Sequence, residues 1–116
     1  MELKPLNLAE INREFRAIAS VNRWQAYHNP KNLVSAVVVE ASELLAEFQW
    51  LTPDESANLS EDKRIRVEEE IADIVMYLTE LSIQLNIDLS AALANKIEKN
   101  KHRFNQPKEA TNGEAT

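Results

Sequence analysis

The chain has 116 residues with no cysteine, a single glycine and four prolines, and its formal net charge is −6 at pH 7. This length fits one small domain, the scarcity of glycine favours helices over a sheet, and the lack of cysteine excludes a disulfide framework and thiolate chemistry. The negative charge disfavours binding to duplex nucleic acid. No apolar run reaches the roughly 18 residues that a membrane span needs, and the N-terminus lacks signal-peptide features, so we expect a cytoplasmic protein.

The first half of the chain predicts two helices separated by a loop. Asn7 can cap a first helix whose apolar stripe continues to about Trp24. Residues 25–30 are expected to form a loop, because the residue that precedes a proline is biased away from helical geometry. The second helix follows this loop and ends near Trp50. Its early residues, 33–39, are apolar on nearly every side, which suggests that the helix also packs against another subunit.

Three further helices are predicted in the second half. A short helical turn is expected over residues 53–58, because it begins with a threonine cap and a proline. A third long helix starts at a serine cap and ends near Asn86. A fourth long helix ends near Arg103. The polar tail, 108–116, is expected to be disordered, so the predicted domain covers residues 1–107.

Two pairs of acidic residues lie on the second and third long helices. Glu40 and Glu43 are three residues apart, and Glu70 and Asp73 have the same spacing. Residues with this spacing share one face of a helix. Each pair lies one position before an apolar stripe, about 100° round the helix from it. The stripes are Val37, Ala41, Leu44, Phe48 and Leu51 on the second helix and Val67, Ile71, Ile74, Leu78, Leu81 and Leu85 on the third.

Packing of the two stripes would bring the four carboxylates to one edge of the seam. Facing carboxylates repel one another unless cations lie between them, so the pattern predicts a metal site. Oxygen ligands favour Mg²⁺, Mn²⁺ or Ca²⁺, and neither His28 nor His102 has the Glu-x-x-His spacing of a di-iron bundle. One Glu-x-x-Glu pair is more often a solvated helix face, but two matching pairs favour the metal site. Glu47, one turn beyond Glu43, is more often a surface residue.

Several motifs occur together in the order found in one family. They are Glu40-x-x-Glu43, Glu47-Phe48-Gln49-Trp50, then Glu70-x-x-Asp73 within Glu-Glu-Ile-Ala-Asp-Ile-Val-x-Tyr-Leu, and finally Asn95-Lys96-Ile97-x-Lys99-Asn100-x-x-Arg103-Phe104. Over residues 7–107 the chain resembles the MazG-like nucleotide pyrophosphohydrolases of the all-α NTP pyrophosphatase superfamily, which includes dCTP pyrophosphatases. It departs from the family pattern after the last helix, where Phe104-Asn105-Gln106-Pro107 replaces the usual Tyr-Pro.

The resemblance implies an all-α, four-helix protomer that assembles into a helical-bundle dimer or a dimer-of-dimers tetramer. It also implies cleavage of nucleoside triphosphates between the α and β phosphates, as house-cleaning of dCTP-like or non-canonical dNTPs. Carried over by position, Glu40, Glu43, Glu70 and Asp73 would be the catalytic residues and would hold Mg²⁺, for which Mn²⁺ could substitute. One of these carboxylates, such as Glu43 acting through a water, could serve as general base.

Seven residues are candidates for substrate binding. They are Trp24, His28, Trp50, Tyr77, Lys96, Lys99 and Asn100. The three on the last helix could bind the triphosphate, although basic residues also simply favour a helix C-terminus. The tyrosine follows Asp73 by one turn and could reach a phosphate or the sugar, or pack in the core. The two tryptophans and the histidine could stack on the base, although a tryptophan at a helix end is more often a core residue.

Two other functions remain open at this point. An all-α dUTPase-like enzyme is disfavoured, because the members of that group usually have a longer chain and a more elaborate set of acidic site residues. A non-catalytic helical nucleotide-binding regulator is disfavoured because all four acidic residues are present, whereas a relic site would be expected to lose some of them.

Overall fold

A computed structural model of the chain describes residues 1–105. Within them, five α-helices and no strand occur. The helices are α1 Leu8–Val21, α2 Pro30–Phe48, α3 Pro53–Ala57, α4 Glu61–Gln84 and α5 Leu89–Phe104, with a 3₁₀ turn, Gln25–Tyr27, between α1 and α2. The all-α prediction is confirmed. The predicted polar tail, 108–116, lies outside the described residues. Across the described part, every helix is too short or too polar to cross a membrane.

Side-chain caps fix where the helices begin. The side chain before each helix accepts a hydrogen bond from a backbone N–H in its first turn. The capping residues are Asn7, Asn29, Thr52, Ser60 and Asp88. At α3 the cap is reciprocal, because the Glu55 side chain also accepts a hydrogen bond from the Thr52 backbone. Loss of such a cap typically costs about 1 kcal/mol. The helix starts are therefore set by local sequence.

The helix ends differ from those predicted from the apolar pattern. α1 ends at Val21 and not near Trp24, because Arg23 has a φ of 58°, which a right-handed helix cannot contain. α4 ends at Gln84 for a similar reason, since Asn86 has a φ of 55°. The expected loop at 25–30 contains the short 3₁₀ turn, and α2 begins within it at its proline, which fits the first turn of a helix.

The described chain forms two compact units. The first, Met1–Asn86, contains α1 to α4, and the second contains α5. In the first unit, α2 packs along α4, and α1 packs against α4. Its buried apolar side chains are those of Ala19, Leu33 and Val67. The carboxylate pairs of α2 and α4 therefore belong to the same unit and to its principal helix contact.

The predicted apolar stripe of α4 is buried along only one of its sides. Ile71, Leu78 and Leu85 of the predicted α4 stripe are exposed, whereas Glu70 and Tyr77 are half-buried. Val67, Ile74 and Leu81 of the same stripe are buried or half-buried, so this side of the stripe faces the interior of the unit. Of the acids beside these apolar residues, Glu40, Glu70 and Asp73 are half-buried and Glu43 is exposed.

Candidate metal centre

Three carboxylates lie together where α2 meets α4. Carboxylate oxygens of Glu40, Glu43 and Glu70 all lie within 4.8 Å of one another. The first two come from successive turns of α2, and the third comes from α4. Asp73, one turn after Glu70, is half-buried on the same face of α4, and a side-chain hydrogen bond with it contributes to the raised pKa of Glu40. The two predicted acid pairs thus meet across the helix contact.

The electrostatics of these residues, called the acid cluster below, favour bound protons or a cation. The pKa of Glu40 is raised from its ordinary value of 4.5 to about 7, first by removal from water, then by hydrogen bonds with Glu70 and Asp73 and by the neighbouring negative charges. The pKa of Glu43 is also raised, chiefly by the charge of Glu70. A cation favours the charged form of a carboxylate, so metal binding would reverse these shifts and release a proton.

One oxygen of the acid cluster has no partner within the described chain. Oε2 of Glu70 is buried and accepts no hydrogen bond. A buried ionised oxygen without a partner is costly, so the arrangement leaves an acceptor that a ligand would satisfy. Carboxylate oxygens are the ligands that hard divalent cations prefer. The residues therefore fit a metal site, and the donor set alone does not identify the ion.

Glu47 does not join the acid cluster. Its Oε1 accepts hydrogen bonds from Lys63 Nζ at 3.2 Å and from Arg66 Nε at 3.3 Å. These hydrogen bonds, that of Lys63 first, lower the pKa of Glu47 despite its partial removal from water. Lys63 Nζ also donates to the Glu47 backbone carbonyl at 3.0 Å. Glu47 is thus neutralised by two basic side chains and ties the end of α2 to the start of α4.

Three aromatic rings contact one another, and one of them, Tyr77, lies near the acid cluster. The rings of Phe15 and His28 are stacked, with centroids 5.4 Å apart. Tyr77 meets both rings edge-on, at 5.7 Å from Phe15 and 6.3 Å from His28. Burial raises the pKa of Tyr77 most, and the charges of Glu40 and Asp73 raise it further. Tyr77 therefore connects the carboxylates with the ring of His28, which is also a predicted substrate-binding residue.

The two tryptophans are largely exposed. Trp24 is 47% exposed just before the 3₁₀ turn, and Trp50 is 85% exposed beyond the end of α2. The alternative that they are core residues is therefore wrong for the single chain. The remaining candidates, Lys96, Lys99 and Asn100, lie on α5 at spacings that put them on one helix face. Their contact with a triphosphate stays a prediction.

Comparison with known proteins places the chain in a family. A family model described as MazG-like matches residues 36–115, a range that includes both acid pairs. The chain belongs to the MazG-like family. The predicted family resemblance is thereby confirmed.

Relatives of this MazG-like chain include dCTP pyrophosphatase 1 from Homo sapiens, which is 33% identical over 99 residues, and the protein of the same name from Bos taurus, which is 35% identical over 100 residues. Each alignment covers 84% of this chain but only 58% and 59% of the human and bovine proteins. The chain thus spans less than two thirds of their length. It also resembles the crystal structure of a pyrophosphatase from Archaeoglobus fulgidus, with a TM-score of 0.78, 33% identity, and coverage of 91% of this chain and 99% of that one.

This MazG-like chain also has a buried carboxylate that was not among the predicted site residues. Glu80 lies two turns beyond Asp73 on α4 and is 4% exposed. Its Oε1 accepts hydrogen bonds from Asn12 Nδ2 at 2.9 Å and Arg16 Nε at 2.8 Å, and its Oε2 accepts from Arg16 Nη2 at 3.0 Å and Gln84 Nε2 at 2.7 Å. Burial raises the pKa of Glu80, but these hydrogen bonds, that of Arg16 first, together outweigh burial and lower it.

A cavity of about 220 Å³ lies beside Glu80. It is lined by Arg16, Ala19, Gln25, His28, Glu80 and Gln84. The signal for this region was present in the sequence, because the polar row of α4 continues past the acids to Glu80 and Gln84. Its partners on α1 could not be found from spacing, since they lie more than sixty residues away in the chain.

Proposed function

We propose that this protein is a Mg²⁺-dependent nucleoside triphosphate pyrophosphohydrolase. It cleaves its substrate between the α and β phosphates, releases a monophosphate and pyrophosphate, and acts on dCTP-like or non-canonical deoxynucleotides in the cytoplasm. The observation that carries this proposal is the acid cluster with its buried, unpartnered Glu70 oxygen. The names of the relatives, dCTP pyrophosphatase and pyrophosphatase, support the same class of reaction.

In the proposed reaction the four acids have related tasks. Glu40, Glu43, Glu70 and Asp73 hold the metal, with Mn²⁺ as a possible substitute for Mg²⁺. Bound metal supplies charge neutralisation at the phosphate oxygens and a more acidic water. Because its pKa is raised to about 7, Glu40 is partly protonated at neutral pH until a cation is bound. Glu43, the exposed member of the cluster, receives the proton of the attacking water on its carboxylate.

The substrate-binding residues follow from their chemistry. Lys96, Lys99 and Asn100 bind the triphosphate, because ammonium and amide groups donate to phosphate oxygens. The hydroxyl of Tyr77 donates to a phosphate or to the sugar. The base stacks on the flat surfaces of Trp24, His28 and Trp50. The large exposed areas of both tryptophans support this part, since an exposed indole is available to a ligand or to a second subunit.

We also propose that the protein is a homo-oligomer, a dimer or a tetramer. Large apolar side chains recur along one exposed row of α2 and one of α4. They are Val34, Val38 and Leu45 on α2 and Ile71 and Leu78 on α4, with Leu85 directly after its end. Apolar rows of this length on a small protein mark an interaction surface, and a second copy of the chain presents matching rows.

A pyrophosphate-release screen over all ribo- and deoxynucleoside triphosphates, with Mg²⁺ and with chelator, tests the reaction. Monophosphate and pyrophosphate are the expected products, with turnover lost in chelator and in Glu70→Gln. Glu68→Gln is the matched control, because Glu68 lies on the same helix but is exposed and paired with Arg64. Release of inorganic phosphate would contradict cleavage between the α and β phosphates. Preference for dUTP would favour a dUTPase-like enzyme, and tight binding without turnover would favour a regulator.

A further inference from the structure

We infer that Asn12, Arg16, Glu80 and Gln84, called the Glu80 cluster below, position the loop between α1 and α2 so that His28 lies against Tyr77 at the proposed nucleotide site. The inference deepens the proposed function and rests on it. It assigns positioning residues that lie outside the acid cluster. Their effect on the site passes through the backbone of His28.

The side chain of Glu80 is held rigidly. Three side chains from two helices give its two oxygens four hydrogen bonds, which leaves the carboxylate a single orientation. Arg16 approaches it with two nitrogens and compensates its charge. A buried ion pair is often no more stabilising than an apolar pair of the same volume. Stability alone therefore does not account for a carboxylate at this position.

Gln84 connects Glu80 to the loop between α1 and α2. Gln84 Nε2 donates to Glu80 Oε2 at 2.7 Å and to the backbone carbonyl of His28 at 2.6 Å. The amide nitrogen has two hydrogens, so both are used, and Glu80 determines which way the amide faces. His28 follows the 3₁₀ turn and precedes the Asn29 cap of α2. The bond from Gln84 therefore holds the loop at the point where it joins α2.

The ring of His28 connects the loop to the proposed nucleotide site. The His28 ring stacks on Phe15 and lies edge-on to Tyr77, whose hydroxyl is affected by the charges of Glu40 and Asp73. Asp73, Tyr77, Glu80 and Gln84 are spaced by four, three and four residues, so they occupy one face of α4. One rigid helix thus presents the acids at one end of this face and the loop anchor at the other.

The consequence is a separation of roles along α4. A change at Gln84 releases His28 but leaves the carboxylates in place. It should weaken nucleotide binding more than it slows the chemical step, because the His28 surface is proposed to contact the base in both ground and transition states. A residue that served only to stabilise the fold would not produce this separation.

Gln84→Met is the main test, since methionine keeps the side-chain length but cannot donate. We expect KM for the best nucleotide to rise about fivefold to tenfold, as for one lost hydrogen bond, with kcat changed less than about twofold. Arg16→Met, at a half-exposed position, should shift KM in the same direction because it frees Glu80. Thr79→Val is the matched control. Its buried hydroxyl donates only within α4, to the Val75 carbonyl at 2.7 Å, so the variant loses a hydrogen bond without releasing the loop.

A second readout does not depend on activity. Trp24 and Trp50 are the two tryptophans of the chain, so Trp50→Phe leaves Trp24 as the single tryptophan, in the loop that the Glu80 cluster holds, and its emission can be excited separately from that of the tyrosines. In that background Gln84→Met should increase acrylamide quenching of Trp24, and Thr79→Val should not. Unchanged quenching or an unchanged KM in Gln84→Met overturns the inference, as does an equal KM rise in Thr79→Val. Absence of turnover in the wild-type protein refutes the proposed function instead.

Discussion

The acid cluster should make the metal-free protein less stable as the pH rises from about 5 to about 7.5. The pKa of Glu40 is raised from 4.5 to about 7, so the folded state holds this proton more tightly than the unfolded chain does. The stabilisation is complete below the unfolded pKa of 4.5 and is lost as the pH rises through about 7. Glu47 and Glu80 have lowered pKa values, so their contribution is already present above their unfolded pKa and does not oppose this trend.

The magnitude follows from the same shift. A rise from 4.5 to about 7 corresponds to at most about 3.4 kcal/mol. Solvent reaches the half-buried carboxyl group and screens it, so we expect the free energy of unfolding to fall by about 1 to 2 kcal/mol across this pH range. Saturating Mg²⁺ should remove the decrease, because the cation takes the place of the proton.

Urea unfolding in chelator at several pH values measures this effect. Glu40→Gln is the matched variant, since it cannot titrate and keeps nearly the same volume. The protein concentration must be equal throughout, because self-association couples to stability. The reasoning is refuted if the wild-type free energy of unfolding is flat or rises with pH in chelator, or if Glu40→Gln shows the same decrease as the wild type.

Three further outcomes are expected. Asp73→Asn should be at least as stable as wild type in chelator and should lose most of its turnover. Its stabilisation by Mg²⁺ should be smaller than the roughly 2.7 kcal/mol expected at 100 times Kd. Melting curves and kinetics that match the wild type would remove Asp73 from the site. Trp50→Ala should raise KM more than it lowers kcat, whereas a fall in kcat alone would argue against base stacking. Light scattering at micromolar concentration should give at least a dimer, and a fully active, stable monomer would contradict the proposed assembly.

The starts of the helices and the acid pairs could be predicted because both depend on residues close in sequence. A cap such as Thr52 acts within one turn, and the spacing of Glu40 and Glu43 fixes their common face once the helix forms. The ends were less predictable. The apolar pattern continues past Val21, but the positive φ of Arg23 depends on how the loop returns to α2.

The seam and the Glu80 cluster could not be predicted for a different reason. The predicted stripe of α4 has two neighbouring apolar rows, and hydrophobic periodicity alone does not determine which of them is buried. The hydrogen bond from Asn12 to Glu80 joins positions 68 residues apart, and no local pattern relates them. Both features depend on which helices pack together, which is information that the periodicity of one helix does not contain.

If the acid cluster binds metal as proposed, its position at the contact between α2 and α4 connects metal supply to the lifetime of the protein. Repulsion among Glu40, Glu43 and Glu70 acts on the same helix contact that holds the first unit together. When metal is scarce, we expect this contact to open more often, and proteases cleave an open form in proportion to its population. The apolar residues of the seam are then exposed to degradation machinery as well as to solvent. The cell would therefore remove the unloaded protein faster than the loaded one, without a dedicated metal sensor.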